Sequence, residues 1–151
     1  MEIRPAQVEN ATAISECVAA AYRHYIARIG KPPGPMLDDT AVIQQHLVFI
    51  LVDGMRIIGV LVLIKQDKNL LLDNVAVHPE YQGRGLRREL VALAEEEALR
   101  LGYTAVTLYT NERMTENIEI YKKLGYTETE RKTERCYQRV YMRKSVLNRP
   151  S

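Results

Sequence analysis

Two cysteines are all that this chain of 151 residues contains, and they stand far apart at Cys17 and Cys136. With so few, and with a start, MEIRPAQVEN, that lacks the apolar stretch of a signal peptide, the sequence reads as cytoplasmic and without a structural disulfide. No apolar run approaches a membrane span. The longest, Ile57 to Ile64, falls far short of the roughly 20 residues that a spanning helix needs, so no membrane partner is expected. Charge of one sign is also missing: a net charge of +2 is too small to argue for nucleic acid. His24, His46 and His78 are scattered without metal-ligand spacing, so no metal is expected. There is no internal repeat, low-complexity tract or second composition, and residues 1–151 are expected to form one domain.

What is present is ordinary globular material, 46% apolar and 26% charged. Glu2 to Pro5 reads as a short strand. A helix begins at Asn10 or Thr12, with Ile14, Cys17, Val18 and Ala21 recurring at helical spacing, and runs through Tyr22, Tyr25, Ile26 and Ile29 to stop at Gly30. KPPGP, Lys31 to Pro35, is a stiff loop, and a helical turn follows over Thr40 to Gln45. Strands are expected at His46 to Val52 and Met55 to Ile64, joined by an Asp53-Gly54 turn, and again at Leu70 to Val77. The run IIGVLVLI predicts a central strand covered on both faces. Leu86 to Leu101 is a helix with Leu86, Leu90, Leu93, Ala94 and Leu101 inward and Gly102 as its cap. Tyr103 to Tyr109 is a strand, Asn117 to Leu124 a short helix, and Tyr126 to Glu130 with Gln138 to Arg143 a terminal hairpin. This order predicts an α/β (α+β) fold: a mixed, mostly antiparallel sheet of about six or seven strands with helices on both faces.

The stretch VAVHPEYQGRGLRREL, Val75 to Leu90, reads as strand, tight turn and helix. A glycine turn that opens a helix offers backbone N–H groups to an anion. Yet Arg84, Arg87 and Arg88 crowd that positive end, where each cation is unfavourable by about 0.3–1 kcal/mol. No acid stands three or four residues beyond any of them. A bound polyanion accounts for the cluster; solvated surface charge is the plainer alternative. The dinucleotide fingerprint lacks its third glycine here, TAVTLYT offers no acid to a ribose, and no phosphate-loop lysine motif occurs. Glu95, Glu96 and Glu97 make the rest of the helix acidic, which argues against nucleic acid.

V-x-V-x-P-x-Y-Q-G-x-G, Val75 to Gly85, resembles the acyl-CoA signature Q/R-x-x-G-x-G/A of the GNAT superfamily of N-acyltransferases, with Gln82 and Gly85 at its first two fixed positions. Asn117 to Tyr126, NIEIYKKLGY, is similar to that family's second cofactor segment, Y-x-x-x-G-F/Y. The segments come in the family's order, and the resemblance covers nearly the whole chain. Two positions depart from it. Arg87 stands where Gly or Ala is usual, beside the expected pyrophosphate, to clamp a phosphate or to crowd it. Asn117 and Met114 stand where the family often has Ala and Asn, so that asparagine's role falls to Asn117 or to Asn111.

The resemblance implies a GNAT-like fold and direct transfer of an acetyl group from acetyl-CoA, the acyl donor, to an amine. The N–H groups of Gly83, Arg84, Gly85, Leu86, Arg87 and Arg88, with the arginine charges and Gln82, would hold the phosphates. The backbone of Val75 and Val77 would pair with the pantetheine arm and supply an N–H to the thioester oxyanion. Tyr121, which also counts among the cofactor contacts, would protonate the leaving thiolate; a core aromatic is its plainer reading. Asp73 is the candidate base. It alternates onto the face of Val75 and Val77 unless a bulge intervenes, burial would raise its pKa, and a hydrogen bond to a neighbouring turn, a relayed water or no base at all are the alternatives. Tyr22, Tyr25 and Arg28 lie on the segment that covers the acceptor pocket in the family, or are ordinary helix surface. Cys17 reads as a core thiol. The competing readings are a non-catalytic acyl-CoA-binding regulatory domain and, more weakly, a basic-helix nucleic-acid module. The acceptor amine and the oligomeric state, a homodimer included, are left open.

Overall fold

The computed structural model describes residues 1–29, 39–134 and 137–146, and the side chains of all of these except residues 24–29, 39, 134 and 137. The KPPGP stretch, Cys136 and the side chains of Tyr25 and Arg28 lie outside the described set.

Seven strands form one sheet in the order β1-β2-β3-β4-β5-β7-β6. They are β1 (Glu2–Pro5), β2 (Leu47–Asp53), β3 (Arg56–Lys65), β4 (Leu70–Val77), β5 (Ala105–Asn111), β6 (Thr127–Glu134) and β7 (Tyr137–Ser145). Every pairing is antiparallel except β4 with β5. That pair needs a crossover, which α3 (Leu86–Arg100) supplies. The expected mixed, mostly antiparallel sheet is therefore the observed one, and the terminal hairpin is longer than its sequence pattern indicated.

Each face of the sheet carries its own core. Ile14 and Cys17 of α1 (Ala11–Ile29) and Val42 of α2 (Asp39–Gln45) pack with Val48, Ile50, Val52, Val60 and Val62. Leu86, Leu90, Val91, Ala94 and Ala98 of α3, with Ile118 and Tyr121 of α4 (Thr115–Lys123), pack with Leu61, Leu63, Leu70, Leu72, Val75 and Val77. Strand β3 lies between them and feeds both, which explains its unbroken apolar run. Gly59 sits against Leu90 of α3. A Cβ there would stand 3.1 Å from the Leu51 Cβ and 3.4 Å from a Leu90 methyl. Cys17 is buried as expected, and burial pushes its thiol up to about 11, so it is no nucleophile near neutral pH.

Two irregularities shape the middle of the sheet. The pairing of β4 with β5 runs only from Leu70–Val106 to Leu72–Leu108. Past that point the two strands part and leave a slot. In β4 itself the register against β3 jumps from Leu63–Leu72 to Val62–Asn74, so a bulge at Asp73 adds one residue.

Candidate active site

The glycine turn forms one wall of a cleft. After β4, a single helical turn over Pro79–Tyr81 leads into Gln82, and Gly83 (φ 81°) and Gly85 (φ 79°) take left-handed conformations that favour glycine. Gly85 is the N-cap of α3. A Cβ at Gly83 or Gly85 would meet open space, so these glycines are required by backbone geometry and leave the turn's surface clear. The cleft measures about 510 Å³ and runs from Val77 and Tyr81, past Gln82 to Arg88, to Asn117, Ile120 and Leu124 of the α4 segment. Of the residues that the sequence proposes as cofactor contacts, Val77, Gln82, Gly83, Gly85, Leu86, Arg87, Arg88 and Asn117 line this cleft. Val75, Arg84 and Tyr121 do not appear in its wall.

The arginines do not stand unassisted. Arg87 donates from Nη1 to Oδ1 of Asn117, which ties the start of α3 to α4 across the cleft. Arg84 lies 4.9 Å over the ring of Tyr81, whose hydroxyl donates to Asp53 at 2.8 Å. The two motif-bearing segments thus meet through Arg87, the residue that departs from the family pattern. Asn111, the other candidate for the family's asparagine, is occupied elsewhere: its Oδ1 accepts the Arg113 N–H at 2.9 Å and shapes the turn after β5.

Val77, which lines the cleft, belongs to the stretch of β4 past Leu72 that has no partner on β5 and borders the slot. His78 N donates to Ile58 O at 2.8 Å, flanking the Gly59–Val77 pair, which marks that pair as one of the non-hydrogen-bonded type. By alternation Val75, opposite Leu61, is the same. Val75 and Val77 therefore turn their N–H and C=O groups away from β3, toward the slot. The carbonyls bear this out: Val77 O accepts from the Gln82 side chain at 3.0 Å, and Val75 O lies 3.1 Å from the Tyr22 hydroxyl.

The bulge decides where Asp73 goes. Leu70 and Leu72 before it, and Val75 and Val77 after it, all belong to the α3-side core. Simple alternation would have put Asp73 with Val75 and Val77. The extra residue instead lets it meet Tyr109, which alternates away from the α3-side Leu108. Tyr109 donates to Asp73 at 3.3 Å. Burial raises the Asp73 pKa above the usual carboxylate range, and the Tyr109 hydrogen bond and the charges of His46 and Arg139 only partly oppose it. Beside it, the Tyr22 hydroxyl lies 3.0 Å from Asn74 Oδ1, so α1 meets β4 at the bulge. Arg139 of β7 stacks over Tyr109 at 4.2 Å. Arg139 and Tyr109 carry no local sequence signal; the neighbouring placement of β5 and β7 brings them to Asp73.

Tyr121 is buried one helical turn beyond Asn117, edge-on to Tyr126 with ring centroids 5.9 Å apart, in the same cluster as Val75 and Val77. Lys144 fixes the end of this helix. Its Nζ donates to Leu124 O at 2.8 Å and pairs with the buried Glu95 carboxylate at 3.0 Å, and Tyr126 donates to the other oxygen of Glu95 at 3.3 Å.

Comparison with known proteins places this seven-stranded sheet and its glycine turn in a family. The family profile described as "Acetyltransferase (GNAT) family" matches residues 15–126, and the chain belongs to that family. No curated protein matches it. Among solved structures, yncA from Salmonella typhimurium, determined with acetyl-CoA, is 20% identical with a TM-score of 0.75, over 100% of this chain and 96% of that one. The ribosomal-protein-S18-alanine N-acetyltransferase of Escherichia coli is 18% identical with a TM-score of 0.79, covering 99% and 96%. The paia N-acetyltransferase of Thermoplasma acidophilum, in complex with coenzyme A, is 17% identical with a TM-score of 0.77, covering 95% and 98%. At these identities the likeness is one of fold.

Proposed function

We propose that the chain is an N-acetyltransferase that moves an acetyl group from acetyl-CoA to an amine by direct attack on the thioester. One observation carries the reading: the pairing of β4 with β5 ends at Leu72–Leu108, and the stretch of β4 left without a β5 partner runs on to Val77, which lines the cleft beside the glycine turn. The pyrophosphate would rest on the N–H groups of Gly83 to Arg88, with Arg87 and Arg88 adding charge. The pantetheine arm would lie along the slot-facing backbone of Val75 and Val77, and an N–H of that strand would face the carbonyl oxygen as it gains charge. The amine nitrogen bonds to the carbonyl carbon as the carbon–sulfur bond breaks. Asp73 takes the proton that the nitrogen loses, and Tyr121 gives one to the thiolate. A carboxyl pushed up by burial is the better base near neutrality. Tyr22 stands by the acceptor side through its contacts with Asn74 and Val75, and Tyr25 and Arg28 are proposed there by their place on α1.

Tyr121→Phe tests the chemistry apart from binding. It is expected to keep acetyl-CoA affinity and to lower kcat by about 10²–10⁴-fold, as for loss of a general acid. Wild-type turnover in this variant would remove Tyr121 from the mechanism. A domain that binds acyl-CoA without turnover is the alternative, favoured only by Arg87 at the third motif position. Acetyl-CoA binding with no release of CoA to any amine would select it.

A further inference from the structure

We infer that Asn117 is a positioning residue for the acyl donor: it holds the Arg87 guanidinium across the cleft, still charged, before the pyrophosphate of acetyl-CoA arrives. The inference rests on the proposed seat of the phosphates at the glycine turn. It gives Asn117 a task there that acts through another side chain rather than by contact with the donor.

The three arginines at the glycine turn are not equivalent. Arg84 and Arg88 are exposed, and Arg84 lies over the Tyr81 ring. Arg87 is half-buried, and its Nη1 donates to Oδ1 of Asn117 on the opposite wall. That amide is a firm support. Asn117 is 5% exposed, and its N–H donates to Met114 O at 3.0 Å in the turn that opens α4. Met114 N is bonded in turn to Asn111 O at 2.9 Å, so the chain is fixed back to the end of β5. A long arginine side chain loses much rotamer freedom when it grips an anion. Tied to a buried amide it has lost that freedom already, and less of the ordering cost falls on binding.

The residue types fit that task. An amide oxygen is neutral, so it accepts one N–H and leaves the charge and the remaining donors of the guanidinium to an anion. A carboxylate in the same place would hold Arg87 as well but would cancel its charge. Glu116 also lines the cleft, but Arg88 and Lys123 line it with Arg87, so cations outnumber the carboxylate three to one. Two positions that depart from the family's motif segments are moreover partners of one another: Arg87 stands where Gly or Ala is usual, and Asn117 where Ala is frequent. Alanine at either position would take this partner from the other.

The test is calorimetric titration of the full chain with acetyl-CoA, at low and at high salt, for wild type, Asn117→Ala, Arg87→Ala and the double variant. Arg87→Ala is expected to raise Kd by about tenfold to a hundredfold at low salt, as for loss of a charge-assisted contact. Asn117→Ala is expected to raise it by about twofold to tenfold, the span of ordering one long side chain. In the Arg87→Ala background the same change is expected to have no effect, because no guanidinium is left to hold. The asparagine is uncharged, yet its loss is expected to flatten the salt dependence of binding, since it lets the Arg87 charge swing away from the phosphates. Asn117→Asp separates aim from charge: it keeps the tie between α3 and α4 but cancels the cation, and it is expected to bind acetyl-CoA more weakly than wild type. An Asn117→Ala variant that binds as wild type, or that weakens binding equally with and without Arg87, overturns the inference alone, as does an aspartate variant that binds as wild type. Should the alanine variant not fold, the aspartate variant decides the matter. Acetyl-CoA binding that Arg87→Ala leaves unchanged at both salt concentrations overturns the proposed seat of the pyrophosphate itself, and this inference with it.

Discussion

A carboxyl group at position 73 holds its proton more tightly in the folded chain than in the unfolded one, because burial outweighs the Tyr109 hydrogen bond and the nearby positive charges. The consequence for stability has a definite sign. The native state binds more protons than the unfolded state between the ordinary aspartate pKa of about 3.9 and the raised value, so stability falls as pH rises through that window. Asp73→Asn removes this loss. It is expected to melt at a higher temperature than wild type at pH 7, with the gap closing below about pH 4. A variant that melts lower at pH 7 by the same margin at every pH would show that Asp73 is not held at such a cost. In activity the sign reverses: if Asp73 is the base, Asp73→Asn flattens the acidic limb of the kcat/KM profile, checked with two acceptors of different amine pKa. The sequence marks Asp73 as a carboxylate in an apolar strand whose pKa burial would raise, with a hydrogen bond to a neighbouring turn as the alternative. Its direction was not legible, because the bulge arises from how β4 registers on β3, and neither strand alone encodes that.

Two contacts between elements hold the cleft's walls. Arg87 joins α3 to α4 through Asn117, so the ligand-free fold already uses it. Arg87→Ala is therefore expected to cost about 1 kcal/mol of stability, as for one hydrogen bond, and to weaken acetyl-CoA. The binding loss should shrink at high salt and be smaller for a pantetheine thioester without phosphates; an equal loss for both donors would place Arg87's effect outside the phosphate site. At the other end of α4, Lys144 neutralises Glu95 and donates to the Leu124 carbonyl. Lys144→Met leaves a buried carboxylate without its cation and is expected to cost about 3 kcal/mol in urea unfolding, with Glu95→Gln milder because Tyr126 still has an acceptor. A loss under about 1 kcal/mol would mean that water reaches Glu95 readily. Element types were legible from periodicity and glycine caps, as at Gly85 and Gly102. The Lys144–Glu95 pair was not, since residues distant in sequence meet only through the placement of β7 and α3.

At the scale of the molecule, the strands and helices follow the sequence pattern closely because each carries its own signal: the doubly covered run of β3, the amphipathic spacing of α3, and the turn residues between them. The glycine turn was legible for the same reason, being local. The surroundings of Asp73 were not, because Tyr109, Arg139 and Asp73 come together only when β5 is set between β4 and β7. In the proposed reaction acetyl-CoA enters from the α3 side and its acetyl group leaves on an amine near Asp73. The most direct test follows free thiol and acetylated amine together, with purified protein, acetyl-CoA and an amine panel. One thiol released for each amine acetylated, with release dependent on the amine, is the predicted result. Release at the same rate without any amine, or none at all while acetyl-CoA is bound, would contradict it.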